Sequence, residues 1–173
     1  MGFSLPTLVR TALGRPPKLV CASPVWHEGV DELGRRAAGT RESGAFLLGR
    51  AKGKTCRIEQ FLFYDDVDPN CFAHGIVEFD GGKFGIVWEQ CRIRKMKVVA
   101  DVHVHPGHFG QSSSDRRNPM VPEIGHLALI IPDFAVRKRL PGRIGIYEYL
   151  GARQWRDHSR KGTQIFHVGW WPG

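Results

Sequence analysis

Short apolar runs rich in β-branched and aromatic residues recur along this chain between Gly, Pro, Asn and Asp punctuation, and helical spacing surfaces in only two places. That alternation restricts the chain to an α+β arrangement, a sheet built largely from hairpins with helices packed on it. The pattern predicts strands at 18–22, 42–49, 57–64, 75–79, 97–105, 126–131 and 143–150, with 164–168 as a further edge. The 42–49 and 57–64 runs read as a hairpin turning around Gly53. One helix is predicted at 25–38, where Val30, Leu33 and Ala37 recur behind a first-turn Pro24, with Gly39 as its stop. A second is predicted beyond Gly81-Gly82, where Phe84, Val87, Trp88, Cys91 and Met96 repeat at helical spacing.

A chain of 173 residues suits one compact domain rather than two. Residues 1–16 read as an arm or short helix before a domain over 17–173, whose core spans about 17–150 and whose edge and tail span 151–173. In that tail, Trp170-Trp171-Pro172 is expected to form a packed edge, since aromatic pairs bury well. No apolar run approaches the ~18 residues that cross a bilayer, and the first fifteen residues lack a signal-peptide pattern, so a cytoplasmic protein without a membrane span is expected. Cys21, Cys56, Cys71 and Cys91 form no Cys-x-x-Cys pair and read as reduced, buried, small hydrophobes.

The net charge is +8, with basic clusters at Arg92, Arg94, Lys95 and Lys97, at Arg116 and Arg117, and at Arg137, Lys138 and Arg139. They are short and scattered. Solvated faces, or an attraction for an acidic protein partner, account for them more simply than nucleic-acid binding does.

The stretch that carries chemistry is Asp101-Val102-His103-Val104-His105-Pro106, followed by Ser112-Ser113-Ser114-Asp115. Side chains at i and i+2 of a strand leave the same face, so His103 and His105 can direct two imidazoles at one point. A catalytic zinc usually takes three protein ligands and keeps one open position. Gly107 and Gly110 let the loop fold back so that Asp115 can be the third. Each piece has a plainer reading. A His-x-His pair alone is more often an ordinary polar strand face, and Ser112-x-x-Asp115 can be a helix cap, a role compatible with ligation. Asp101 shares the face of His103 and reads as a core-edge residue or a support behind the ligands rather than a ligand. His108 reads as an exposed loop residue, and His27, His74, His126, His158 and His167 carry no pattern. Amidohydrolase barrels need ~250 residues, and a metallo-β-lactamase would carry a further Asp-His where this chain has Pro106-Gly107.

Taken together, His103-x-His105-Pro106, Ser112-x-x-Asp115 and the earlier run Glu42-Ser43-Gly44-Ala45-Phe46-Leu47-Leu48-Gly49 resemble the JAMM (MPN-plus) metalloproteases, in particular compact bacterial members. The resemblance covers roughly residues 17–150. The spacer from Pro106 to Ser112 is one residue shorter than in many eukaryotic members. The resemblance implies an MPN fold, a mixed, mostly antiparallel curved sheet with flanking helices. It implies one catalytic zinc on His103, His105 and Asp115, with Glu42 as the general base that takes a proton from zinc-bound water and delivers it to the leaving amine. Ser112 would donate to the oxyanion. The implied reaction is cleavage after the C-terminal glycine tail of a ubiquitin-like protein, as deconjugation or precursor processing. The implied partners are that ubiquitin-like protein and its conjugates or precursor. Relatives that process a sulfur-carrier protein, relatives that act as non-catalytic scaffolds and relatives linked to DNA repair define the alternatives.

Overall fold

The computed structural model describes residues 16–171 apart from Gly75 and Lys138. The expected arm, save Pro16, lies outside the described residues, as do Lys138 of the third basic cluster and Pro172 of the aromatic tail. In chain order the elements are β1 (Leu19–Cys21), α1 (Ser23–Ala37), β2 (Gly44–Lys52), β3 (Thr55–Phe63), the single turn α2 (Tyr64–Val67), α3 (Phe84–Arg94) and β4 (Lys97–Val104). They continue as α4 (Ser113–Arg117), β5 (Leu127–Ile131), β6 (Gly145–Gly151), β7 (Gln154–Asp157), the single turn α5 (Gly162–Ile165) and β8 (Phe166–Val168). Among the described residues, no helix is long and apolar enough to cross a membrane.

The strands form one mixed sheet in the order β7-β6-β5-β4-β2-β3-β1-β8. β1 runs parallel to both β3 and β8, β4 runs parallel to β5, and the remaining pairs are antiparallel. The sheet curls strongly. Lys18, before β1, reaches Glu148 on β6 with Nζ 2.5 Å from Oε1, although four strands lie between β1 and β6 in the sheet. Phe166 of β8 shares one apolar cluster with Ile146 of β6.

Strand alternation divides the core between the two faces of the sheet. Ala45 and Leu47 of β2, with Ala100, Val102 and Val104 of β4, pack with Trp26, Val30 and Leu33 of α1. Phe46 and Leu48 point the other way, to Tyr64, Cys71, Phe72 and the α3 residues Val87 and Cys91. Asp101 and His103 leave β4 on this second face, which therefore carries both a core and a polar site. Opposite Leu47–Gly49 of β2 the register skips Glu59 on β3 and Val99 on β4, one extra residue in each neighbour, and a Cβ on Gly49 would overlap the Arg57 carbonyl.

Several expectations need correction. Residues 76–79 are not a strand. Their backbone donors are taken by other partners: Val77 N–H donates to Glu42 Oε2 at 3.0 Å and Glu78 N–H to the Cys71 carbonyl at 2.8 Å, which leaves no ladder to join. Helix α1 ends at Ala37, one residue before the expected Ala38, and Ala38 rather than Gly39 is its left-handed cap, with φ +51° and its N–H donating to the Gly34 carbonyl. Trp88 is about half exposed and stacks on Phe84 rather than entering the core. Strand β7 was not anticipated. The expected packed edge at Trp170-Trp171 is not formed either: Trp170 is 84% exposed, and Trp171 lies against His167 with ring centroids 5.3 Å apart. All four cysteines are free, with Cys56 only half-buried.

Candidate functional site

Three backbone devices assemble the site. The β2–β4 register pairs Gly44 with His103, and extending it by two residues sets Glu42 beside His105. Ser43 fixes that crossing twice, its carbonyl accepting from Val104 N–H at 2.9 Å and its hydroxyl donating to the Leu33 carbonyl at 2.7 Å. His105 lies just past the strand end, where its N–H donates to the Ile131 carbonyl and its carbonyl accepts from Phe134 N–H. Asp133, Phe134 and Ala135 all hold φ between +50° and +55°. Such left-handed conformations cost of order 1 kcal/mol each in non-glycine residues and tend to collect at functional sites. The third device is the capping box of α4. Ser112 Oγ accepts from Asp115 N–H at 3.1 Å while Asp115 Oδ2 accepts from Ser112 N–H at 2.6 Å.

These devices bring His103, His105 and Asp115 together, with candidate ligand atoms all within 4.8 Å of one another. His103 Nε2 and His105 Nε2 are 2.9 Å apart, and they stand 3.5 and 3.3 Å from Asp115 Oδ1 and Oδ2. Donors on a tetrahedral ion with arms of ~2.0–2.2 Å sit about 3.3–3.6 Å from one another. The observed spacing is close to that, and two imidazoles with a carboxylate are a donor set suited to zinc. Glu42 is not part of the triad. Its Oε1 lies 3.9 Å from His105 Nε2, and its other oxygen is held by Val77 N–H.

Charge couples the donors. Burial pushes the Asp115 carboxyl up, but the hydrogen bonds from His103 and His105 outweigh it and hold the group well below the usual carboxylate range. Burial alone would lower His103, yet the Asp115 carboxylate, with help from Asp101 and Glu42, holds its pKa above 6.5. Behind the triad, His126 Nε2 donates to Asp101 Oδ1 at 2.6 Å, and the Tyr64 hydroxyl donates to Asp101 Oδ2 at 3.3 Å. Burial first, and Asp101 second, push the Tyr64 phenol well above 10. Both Asp101 oxygens are thus engaged, and Asp101 lies outside the His103, His105 and Asp115 cluster. His126 and Tyr64 had no sequence signal beyond an ordinary apolar context.

His103 and Asp115 open into a cleft of about 820 Å³ that is also lined by Asp68, Val77, Phe84 and Met120, while His105 and Glu42 lie outside that lining. Its lining includes His103, Asp115, Asp101, Gln111, Ser114 and Phe79. Ser112, expected to serve as a donor, is exposed and lies outside that lining. His108 is exposed and accepts from Gly110 N–H. His74 pairs with Glu78 on the surface, and His158 donates to Glu148 far from the triad.

No family model matches the sequence. Among solved structures, the chain resembles the solution structure of a protein from Desulfitobacterium hafniense, with TM-score 0.63 and 14% identity over 87% of this chain and 92% of that one. A solution structure of a Salinibacter ruber protein aligns with TM-score 0.48 and 18% identity, over 78% of this chain and 82% of its own. Identity this low makes the first likeness one of fold alone.

Proposed function

We propose that this chain is a zinc metallopeptidase of the JAMM type on an MPN fold, and that it cleaves after the glycine tail of a ubiquitin-like protein. The observation that carries the reading is the convergence of His103, His105 and Asp115 at one point beside a cleft that His103 and Asp115 line, with the Glu42 carboxylate 3.9 Å from His105 Nε2 yet outside the donor set. An unligated carboxylate this close to the donors can serve hydrolysis as a proton acceptor.

In this reading His103, His105 and Asp115 would hold one zinc, which when bound would supply a water acidified towards pKa ~7 and a Lewis acid for the substrate carbonyl. Glu42 accepts the proton of the attacking water on its Oε1 side and passes it to the leaving amine. The Val77 N–H on Oε2 keeps the carboxylate turned towards the site. Asp115 stays ionised because two imidazoles face it, and the capping box fixes its rotamer. Asp101, held by His126 and Tyr64, sets a buried negative charge beside His103 and so favours cation binding at the triad. The substrate class rests on the motif's resemblance to the JAMM pattern. Ser112 enters this reading first as the residue that orients Asp115.

The reading is tested with Glu42→Gln, which keeps size and polarity but cannot take a proton. The variant is expected to bind one zinc per chain and to cleave a ubiquitin-like fusion about 100-fold or more slowly than wild type. Equal rates in both proteins would refute it.

A further inference from the structure

Gln111 lies on the wall of the same cleft as His103 and Asp115, and the reading above gives it no task. Its side-chain Nε2 is buried and has no hydrogen-bond partner among the described residues. Folded chains seldom leave a buried amide donor unused, so this one calls for an acceptor that arrives from outside. The peptide N–H joining Gln111 to Ser112 donates to Asp115 Oδ2 at 2.6 Å, so the Gln111 side chain branches one bond from the group that grips a ligand carboxylate. The approach to Gln111 is also clamped. The Tyr147 hydroxyl donates to the Phe109 carbonyl at 3.1 Å, and Gly145 of β6 packs so closely on that carbonyl that a Cβ would collide with it. A fixed backbone, an unpaired donor and a place on the cleft wall that His103 and Asp115 also line let this amide serve a carbonyl oxygen once a turn about its side-chain bonds brings Nε2 from its buried position to the cleft surface.

Other features of the molecule carry less. The acidic groups of the cleft wall have structural duties, since both carboxylate oxygens of Asp68 accept backbone N–H groups and Asp80 caps the turn before α3. The exposed apolar side chains Ile86, Trp88 and Ile93 on α3 have nothing seated on them to identify an occupant.

We propose that Gln111 is a catalytic residue whose side-chain amide donates to the carbonyl oxygen of the bond being cut. The assignment rests on the metallopeptidase reading and deepens it. That oxygen gains negative charge as water adds to the carbonyl carbon, so the donor binds the transition state more tightly than the bound substrate, and its loss appears in kcat more than in KM.

Gln111→Leu removes the donor at similar size, and Gln111→Glu replaces it with an acceptor. Both are expected to keep one zinc per chain and to lose about 100-fold in kcat/KM on a ubiquitin-like fusion, mostly through kcat. A second readout needs no turnover. In a proton–nitrogen correlation spectrum of the full chain, the Gln111 NH2 signal, assigned by its loss in Gln111→Leu, should shift on addition of Gly-Gly-Gly. Variants with normal zinc and wild-type kcat/KM would overturn the assignment and leave the metallopeptidase reading intact. If wild type cleaves nothing, that reading falls, and the amide signal decides the carbonyl contact alone: a shift with Gly-Gly-Gly supports it and a stationary signal overturns it.

Discussion

Gly44→Ala tests how closely the site depends on the packing beneath it. Gly44 sits two residues after Glu42 and opposite His103 in the β2–β4 pairing. A methyl there would lie 2.6 Å from Tyr64 Cδ2, closer still to Cε2, and 2.9 Å from the Val102 carbonyl oxygen, against an ordinary contact of 3.4–4 Å. Tyr64 is fully buried, with Phe46 and Phe79 centroids 4.8 and 5.8 Å away and its hydroxyl bonded to Asp101, so the ring cannot swing aside. Relief must come from a shift of β2 against β4, and overpacking of this kind costs about 1–3 kcal/mol. At about 2–4 °C per kcal/mol for a chain of this size, the melting temperature should fall by roughly 3–10 °C. Because β2 leads in from Glu42 and β4 carries His103, zinc affinity should fall as well. Thermal unfolding followed by circular dichroism, with zinc titration on the same samples, measures both. Gly85→Ala in α3 is the control: its methyl meets nothing within 4 Å, and it should be stabilising by up to about 1 kcal/mol. A Gly44→Ala protein that melts within about 1 °C of wild type and binds zinc equally well would refute the wedge of Tyr64 against β2.

Asp101→Ala leaves His126 and the Tyr64 hydroxyl buried without their acceptor, and should destabilise by about 3 kcal/mol or more, read as a lower urea midpoint. An unchanged midpoint would mean that the network is not formed. In the metal-free chain His103 titrates above 6.5, so the stability it contributes is fully present below pH 6.5 and is lost as pH rises through its folded pKa. Zinc competes with that same proton, so calorimetric titration should show tighter binding at about pH 8 than at about pH 6, and equal affinities would contradict the coupling.

The site was more legible in the sequence than the wall around it, for a physical reason. His103 and His105 are two apart on one strand, and Ser112 and Asp115 form a capping box, so short windows contain these relations. The residues that complete the site depend on partners far along the chain. His126 gains meaning only through Asp101, and Tyr64 only through the same carboxylate. Gln111 is a polar loop residue in the sequence, and its unused donor becomes visible only once the cleft closes around it. The alternation over 75–79 mimicked a strand, but Val77 and Glu78 spend their N–H groups on Glu42 and Cys71. β7 failed in the opposite sense: Gln-Trp-Arg-Asp has weak strand character and pairs because β6 presents an open edge. The curl of the sheet, which brings Lys18 to Glu148, has no local signature at all.

The most direct test of the account is zinc content by elemental analysis of wild type, His103→Ala and His105→Ala, each purified without chelator and confirmed folded. The account predicts one zinc per wild-type chain and none in either variant. Absence of zinc from reconstituted wild type, or full zinc in the variants, would contradict it.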